Sequence, residues 1–364
     1  MIIHRFISKT LLLACTSILA MSCNRNLDNL AEEYQSGVVM VQTIEYYELR
    51  MSNGNTLYFA GSDFDKETNK FISLKSSPDS LIPDIMYGTG FFISPDGRIA
   101  TNRHVVEGNI KKEEVRQGLR KIIHALEEYL VQEKAHYEVC LSNLESYIRN
   151  NPDTIPGSLQ AQMEAHELYT QRLNEINQSL RMLRQNNPGE IDLAYHNNVR
   201  IAYNNTFVHT VGELKSCTIR EKSDKDDLAI IQLNTKQTPE GRHIFRLTPR
   251  DMLQHYSFGE YLMHLVGKDK NKTLMMIGYN DGPRMALTDE GIVAQHPVGT
   301  ISRYLTEDRE VQYDIPALRG SSGSPVLNRR GQVVAINYAS ADSVSNQFNY
   351  GVKEKYLFEL NKNI

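Results

Sequence analysis

Two incompatible hydrophobic rhythms share this chain, and the way one is nested in the other constrains the fold most. From Val199 onward the sequence passes through ten short apolar runs: VRIAYN, TFVHTV, KSCTIRE, DLAIIQL, YLMHLVG, TLMMIGY, EGIVAQ, VQYDI, SPVLN and QVVAINYAS. Gly, Asp and Asn turns separate them, which is the pattern of a barrel or sandwich of short strands. The same grammar governs GVVMVQT, YYELRM and TLYFAG, with a hairpin turn at Ser52-Asn53-Gly54-Asn55, and it returns in GTGFFISPDGRIATN. Residues 111–186 obey a different rule. Val115, Leu119, Ile122, Leu126 and Tyr129 are spaced by three and four, and Tyr137, Leu141, Leu144 and Ile148 resume the pattern one position out. Leu159, Met163, His166, Tyr169, Leu173, Ile176, Leu180 and Leu183 repeat it after a break at Asn150-Asn151-Pro152-Asp153 and Pro156-Gly157. This spacing predicts an antiparallel hairpin of two amphipathic helices. The first, over 113–149, would be roughly 50 Å long, with a stutter where Glu133 and His136 interrupt its seam. Asn186-Asn187-Pro188-Gly189 ends the second, and the tail YGVKEKYLFELNKNI reads as a short closing helix. The expected fold is mainly β, interrupted by a helical hairpin.

A chain of 364 residues, 40% hydrophobic and 23% charged, can bury a core and is too apolar to be disordered. A net charge of −4 without a basic block excludes nucleic acid as the main partner. After the first 25 residues no stretch is long and apolar enough to span a bilayer. The N-terminus reads as an export signal, with Arg5 and Lys9 ahead of the uncharged run Leu11 to Met21. Ala20-Met21-Ser22-Cys23 resembles the lipobox of bacterial lipoproteins, with Ala20 where Leu is usual. That resemblance implies removal of residues 1–22, a lipid on Cys23 and a polar tether over 23–36; an ordinary cleaved signal is the alternative. The expected address is the bacterial cell envelope, and Asn24 carries no acidic retention signal, which leans toward the outer membrane. Cys140 and Cys217 make no disulfide framework and no zinc spacing, so buried free thiols are expected.

Three segments carry chemistry together. They are Gly88-Thr89-Gly90 with its continuation to Asn102-Arg103-His104, then Asp226-Asp227-Leu228-Ala229, then Gly320-Ser321-Ser322-Gly323-Ser324-Pro325. Acyl transfer by a serine needs an imidazole to take the hydroxyl proton, a carboxylate to fix the imidazole, and N–H donors for the oxyanion. In these three segments the chain resembles the chymotrypsin-fold (trypsin-like) serine proteases, most closely their bacterial HtrA-type branch. The resemblance implies a double β-barrel over 37–110 and 187–364, with 111–186 inserted as the hairpin. It also implies Ser322 as nucleophile, His104 as general base, Asp227 as its orienter, and the N–H groups of Gly320 and Ser322 as the oxyanion hole. Asp226 and Asp224 are rivals for the carboxylate role. Ser321 stands where trypsin-type zymogens carry the Asp that pairs with a newly cut N-terminus, so activation of that kind is not expected. Ser324 replaces the usual second glycine. Pro316 lies where trypsins place an acid, so a basic primary specificity is not supported, and no residues after the barrels are left for a PDZ domain. The expectation is a serine endopeptidase acting on extracytoplasmic proteins or peptides, needing no metal or organic cofactor, membrane-bound through Cys23. Helices 111–186 would serve as a folded surface loop, or bind substrate, a partner or a second copy. The rival expectation is a latched or inactive protease fold acting as a scaffold through that hairpin.

Overall fold

The computed structural model describes residues 27–152, 156–253, 265, 272–304, 309–338 and 348–364. The export signal, Cys23 and the run YLMHLVG lie outside the described residues, apart from Leu265. The chain enters through helix α1 (Leu27–Tyr34). Its apolar face is not a tether: Leu30 and Ala31 are fully buried and Tyr34 nearly so, in one core with Phe91, Phe245 and Ile277. The expected tether over 23–36 is thus corrected from Leu27 onward, because Leu30, Ala31 and Tyr34 recur at helical spacing within an otherwise polar segment.

The first barrel is built from β1 (Val38–Arg50), β2 (Thr56–Phe59), two short paired strands β3 (Phe64–Asp65) and β4 (Lys70–Phe71), β5 (Asp84–Phe92), β6 (Arg98–Thr101), β7 (Asp192–Tyr203), β8 (Lys215–Lys222) and β9 (Ala229–Leu233). Six strands run in the order β1-β5-β6-β9-β8-β7, and pairing of β7 with β1 closes the ring; β2 adds to the far part of β1. The two runs read separately as GVVMVQT and YYELRM form one continuous strand. It is buried on every side from Val38 to Thr43 and then alternates in and out up to Arg50. The run TFVHTV is not a strand and contributes only a single bridge from Thr206 to Ile292.

Between β6 and β7 lie a short helix α2 (Arg103–Val106), then α3 (Lys112–Asn150) and α4 (Pro156–Gln185). The antiparallel register of α3 and α4 is read from their cross-pairs. Glu127 meets Arg184, Glu133 meets Arg172, Tyr137 meets Tyr169 and Glu145 meets His166. Glu133 therefore does not mark a stutter: it lies in the seam and accepts from Arg172 Nη2 at 2.7 Å and Nε at 3.2 Å. Most of the expected seam is buried or half-buried, from Val115, Leu119 and Ile122 through Tyr137, Leu141, Leu144 and Ile148 in α3 to Tyr169, Leu173, Ile176 and Leu180 in α4, but it departs from the expected line at four positions. Ile123, Leu130 and Tyr137 are half-buried, whereas Leu126, Tyr129, Leu159 and Met163 are exposed.

The chain divides into two compact units. The first comprises the residues up to Ile44, Ile85–Gly108 and Asn197–Ile364; the second comprises Glu45–Asp84 and Asn109–His196. The hairpin is accordingly not an insertion that folds on itself. The second unit has its own core, in which Val115 and Leu119 of α3 are buried with Tyr47, Leu49, Phe59 and Phe64. Gly118 permits this packing, because a Cβ there would come within 3.0 Å of Phe71 and 3.1 Å of both Phe64 and the Asn69 carbonyl. The lesson for the sequence is that Phe59, Phe64 and Phe71, outside the helical pattern, supply the surface that the base of α3 covers.

The second barrel uses β10 (Thr273–Met276), a short ribbon β11 (Leu287–Thr288) with β12 (Gly291–Ile292), β13 (Val298–Tyr304), β14 (Glu310–Tyr313), β15 (Pro325–Asn328), β16 (Val333–Tyr338) and β17 (Asn349–Lys353). It closes in the order β10-β13-β14-β17-β16-β15. Its interior holds Leu274, Met276, Val311, Tyr313, Val326 and Val334, and the closing helix α5 (Glu354–Asn361) follows.

Glu354, at the start of α5, is buried, with Oε1 accepting from the Thr248 N–H at 2.5 Å. Burial pushes its carboxyl up to about 8; the Thr248 bond works against the rise, and Asp251 adds to it. Between the ordinary carboxyl value and about 8 the native state keeps a proton that the unfolded chain has lost, so stability falls as pH rises through that window. Glu354→Gln is expected to flatten this decline and raise the melting temperature at pH 8 but not at pH 4, checked by thermal unfolding across that range.

Candidate active site

The histidine is delivered by the end of β6. Thr101 and Asn102 are fully buried, and the chain turns at Asn102 into α2, whose first N–H groups have no partner within the helix. One of them, the His104 N–H, donates to Asp227 Oδ1 at 2.9 Å, and the His104 ring places Nδ1 2.5 Å from Asp227 Oδ2. A carboxylate is acceptor-only, so Nδ1 carries the proton in this contact and Nε2 is the nitrogen left over. Asn102 Nδ2 donates to the Asp227 carbonyl at 2.6 Å, which fixes the aspartate's backbone as well as its side chain. Burial favours protonation of Asp227, but the His104 hydrogen bond and charge, the His104 N–H and the nearby Arg103 outweigh it. The carboxyl is held below its usual value.

The structure brings Asp227, and neither rival, to His104. Asp226 faces Arg309, accepting from Nε at 2.7 Å and Nη2 at 2.6 Å, and the Arg309 guanidinium lies 4.0 Å from the centre of the Tyr356 ring. Asp224 is exposed. The loop between them is set by Ser223, whose Oγ accepts from the N–H groups of Lys225 and Asp226 at 3.3 and 3.0 Å.

Strand β5 draws the serine loop to the same place. The Ser322 carbonyl accepts from the Thr89 N–H at 2.8 Å, and Thr89 Oγ1 donates to the Gly320 carbonyl at 2.8 Å. Gly88 has Val105, the neighbour of His104, on one side: a Cβ there would stand 2.6 Å from Val105 Cγ1 and 3.2 Å from the Ser322 carbonyl. Gly323 needs its missing side chain twice over, since its φ is +90° and a Cβ would fall 2.0 Å from the Thr89 carbonyl. Leu318 to Ser321 form a turn closed by the Ser321 N–H on the Leu318 carbonyl at 3.0 Å, with Gly320 third in it at φ +96°. A positive φ at the third position makes this a type II turn. Among the described residues the Gly320 N–H meets no acceptor. Ser324, the departure from a second glycine, is accommodated because Gly278 faces it. A Cβ at Gly278 would sit 1.9 Å from Ser324 Oγ.

The sequence model of the trypsin-like peptidase domain matches residues 188–336, less than half of the chain but including Asp227 and Ser322. Over this stretch the chain is similar to the trypsin-like peptidase domain. His104 lies upstream of the matched residues, beyond the helices that separate it by 123 positions from Asp227, yet the trypsin-like fold returns it to the aspartate. Among solved structures, the chain is similar to a serine endoprotease from Yersinia pestis, with 10% sequence identity and a TM-score of 0.42. The similarity covers 93% of this chain and 66% of that one, so the chain spans just under two thirds of that protein's length. No curated protein matches the chain.

Sequence reasoning gave no role to Asn102, Thr89, Arg309 or Asn337. A signal for Asn337 was present: it is a polar residue inside the apolar strand Val-Val-Ala-Ile, where only a satisfied amide can be buried. The matched stretch also holds Cys217, a free thiol that is half-buried rather than buried, as is Cys140 in α3. Burial pushes the Cys217 thiol up to about 12, so it offers no thiolate nucleophile.

Proposed function

We propose that the chain is a serine endopeptidase that hydrolyses peptide bonds of proteins outside the cytoplasm. The observation that carries the reading is the two-point hold of Asp227 on His104, at the ring and at the backbone N–H, on a site to which the Ser322 loop is tied through Thr89. In this reading His104 Nε2 takes the Ser322 hydroxyl proton as Oγ attacks the substrate carbonyl carbon. Asp227 stays ionised, keeps the proton of His104 on Nδ1 and stabilises the imidazolium that forms. The oxyanion is received by the N–H groups of Gly320 and Ser322. Collapse of the tetrahedral intermediate returns the proton to the leaving amine and leaves an acyl-serine, which water then cleaves with His104 as base.

The proposed address is the cell envelope, with the protein held by a lipid on Cys23. Helix α1 supports a body held close to that anchor, because packed structure begins at Leu27. An alkyne fatty acid fed to expressing cells is expected to label the wild type and not Cys23→Ser; equal labelling would remove the lipid from the account.

Degradation of an unfolded protein by the wild type, lost in Ser322→Ala and His104→Ala, is the expected test of the enzymatic reading. A second reading, a scaffold acting through α3 and α4, is favoured by their exposed Tyr129, Val139, Tyr147, Met163 and Leu168. It would be preferred if Ser322→Ala kept the full biological effect.

A further inference from the structure

A cavity of about 630 Å³ beside Tyr34, Arg246 and Arg250 is lined by none of the residues of the proposed chemistry. The serine loop itself contains a device that the catalytic reading does not use. Asn337, fully buried in β16, spans the gap between that loop and β14. Its Nδ2 donates to both the Ser321 carbonyl and Ser321 Oγ, each at 3.1 Å, and its Oδ1 faces the Tyr313 hydroxyl at 2.7 Å. The Tyr313 hydroxyl also lies 3.0 Å from the Tyr350 carbonyl, the longer of its two contacts, and the directions of the bonds at the Asn337 amide follow from chemistry. The Ser321 carbonyl can only accept. Ser321 Oγ spends its single proton on the Leu318 carbonyl at 2.7 Å, so it too accepts from Asn337. The amide nitrogen must therefore face the loop and the amide oxygen must face Tyr313, whose hydroxyl donates. Burial pushes the Tyr313 phenol well above its ordinary value, so the hydroxyl keeps its proton at neutral pH. The backbone of Asn337 adds two more ties, accepting from the Gly323 N–H at 2.7 Å and donating to the Ser324 carbonyl at 2.9 Å.

We propose that Asn337 is the positioning residue of the nucleophile turn, holding the Leu318–Ser321 turn in the form that presents the Gly320 N–H, with Tyr313 fixing the orientation of its amide. The turn has two states that differ by rotation of the Arg319–Gly320 peptide. Only a loop held at Ser321 from outside stays in one of them, because Gly320 itself tolerates both. A buried internal amide thereby does what a charge pair made by chain cutting would otherwise do, and the site is assembled without processing near the barrels. The inference rests on the serine protease reading for its catalytic consequence, but its structural part can be read separately.

The test compares wild type, Asn337→Ala and Tyr313→Phe. The first readout is phosphonylation of Ser322 by a fluorophosphonate, resolved into a saturating rate and a half-saturating concentration. The second is hydrogen exchange of the peptide 317–325, with thermal unfolding as a control on folding. Asn337→Ala is expected to lower the saturating rate roughly 100-fold, the scale of losing one oxyanion donor, with the half-saturating concentration within about twofold of wild type. Exchange over 317–325 should rise. Tyr313→Phe, which keeps the packing and removes one hydroxyl, is expected to lower the rate about tenfold. It serves if Asn337→Ala fails to fold. A folded Asn337→Ala that labels at the wild-type rate, or whose 317–325 peptide exchanges as in wild type, overturns the proposal. If the wild type itself does not label, the protease reading falls and exchange alone decides: a rise upholds Asn337 as the holder of the turn, and no change rejects it.

Discussion

Replacing Ser322 by alanine is expected to lower peptide-bond hydrolysis by on the order of 10⁵–10⁶-fold while leaving thermal stability near that of the wild type. The size follows from the chemistry: without Oγ there is no acyl-enzyme, and the residual rate comes only from binding and the oxyanion donors. The fold should survive because the loop is held by its backbone. The Thr89 N–H on the Ser322 carbonyl, the Gly323 N–H on the Asn337 carbonyl and the Ser324 N–H on the Ser321 carbonyl remain after Oγ is removed. His104→Ala should match this loss rather than add to it, since serine and histidine act as one unit. Steady-state hydrolysis of a peptide substrate measures both. A loss under about tenfold in either variant would place the chemistry elsewhere.

Asp227→Asn carries the second-largest expected effect, a fall of about 10⁴-fold in kcat with little change in KM. An amide cannot accept at both oxygen positions. Either the His104 N–H or the His104 ring loses its acceptor, and an amide nitrogen facing Nδ1 selects the wrong tautomer. The same substitution has a stability signature. Because Asp227 is held below its usual value in the folded state, its charge contributes stability above about pH 4, and that contribution is lost as pH falls through the folded value. Asp227→Asn should thus be less stable than wild type at pH 7, with the difference shrinking as pH falls below the ordinary carboxyl range, measured by denaturant unfolding across that range. A wild-type acid limb above about pH 5 would belong to another group than Asp227.

Much of this architecture was legible in the amino-acid order, and the failures have physical causes. Strand runs bounded by turn residues indicated a barrel or sandwich, because a buried strand of a small barrel must be apolar and short, and the division into two barrels came from the family resemblance. The positions of α3 and α4 followed from their spacing, since amphipathic period is a local property. Their seam did so only in part. Leu126 and Tyr129 fit the spacing but are exposed, while Glu133 occupies the interface because Arg172, 39 residues away, satisfies it. Pairings across a hairpin are invisible to a periodicity reading of either helix alone. The second unit was missed for the same reason: the partners of Val115 and Leu119 are Phe59, Phe64 and Phe71, aromatic residues in segments that read as hairpin and polar loop. At the site, residues of motifs with a family resemblance were readable. Asn102 and Arg309 were not, because each acts on a carbonyl or carboxylate distant in sequence, and Asn337 was marked only as a polar residue in an apolar strand, without its partners.

The central claim is that Ser322 is an activated nucleophile. Its most direct measurement is exposure of the purified protein to a fluorophosphonate probe, followed by mass spectrometry of the peptide containing Ser322. The account predicts one phosphonyl adduct per chain, on Ser322, absent from His104→Ala and from unfolded wild type. A folded wild type that forms no adduct, or one that reacts elsewhere, would contradict it.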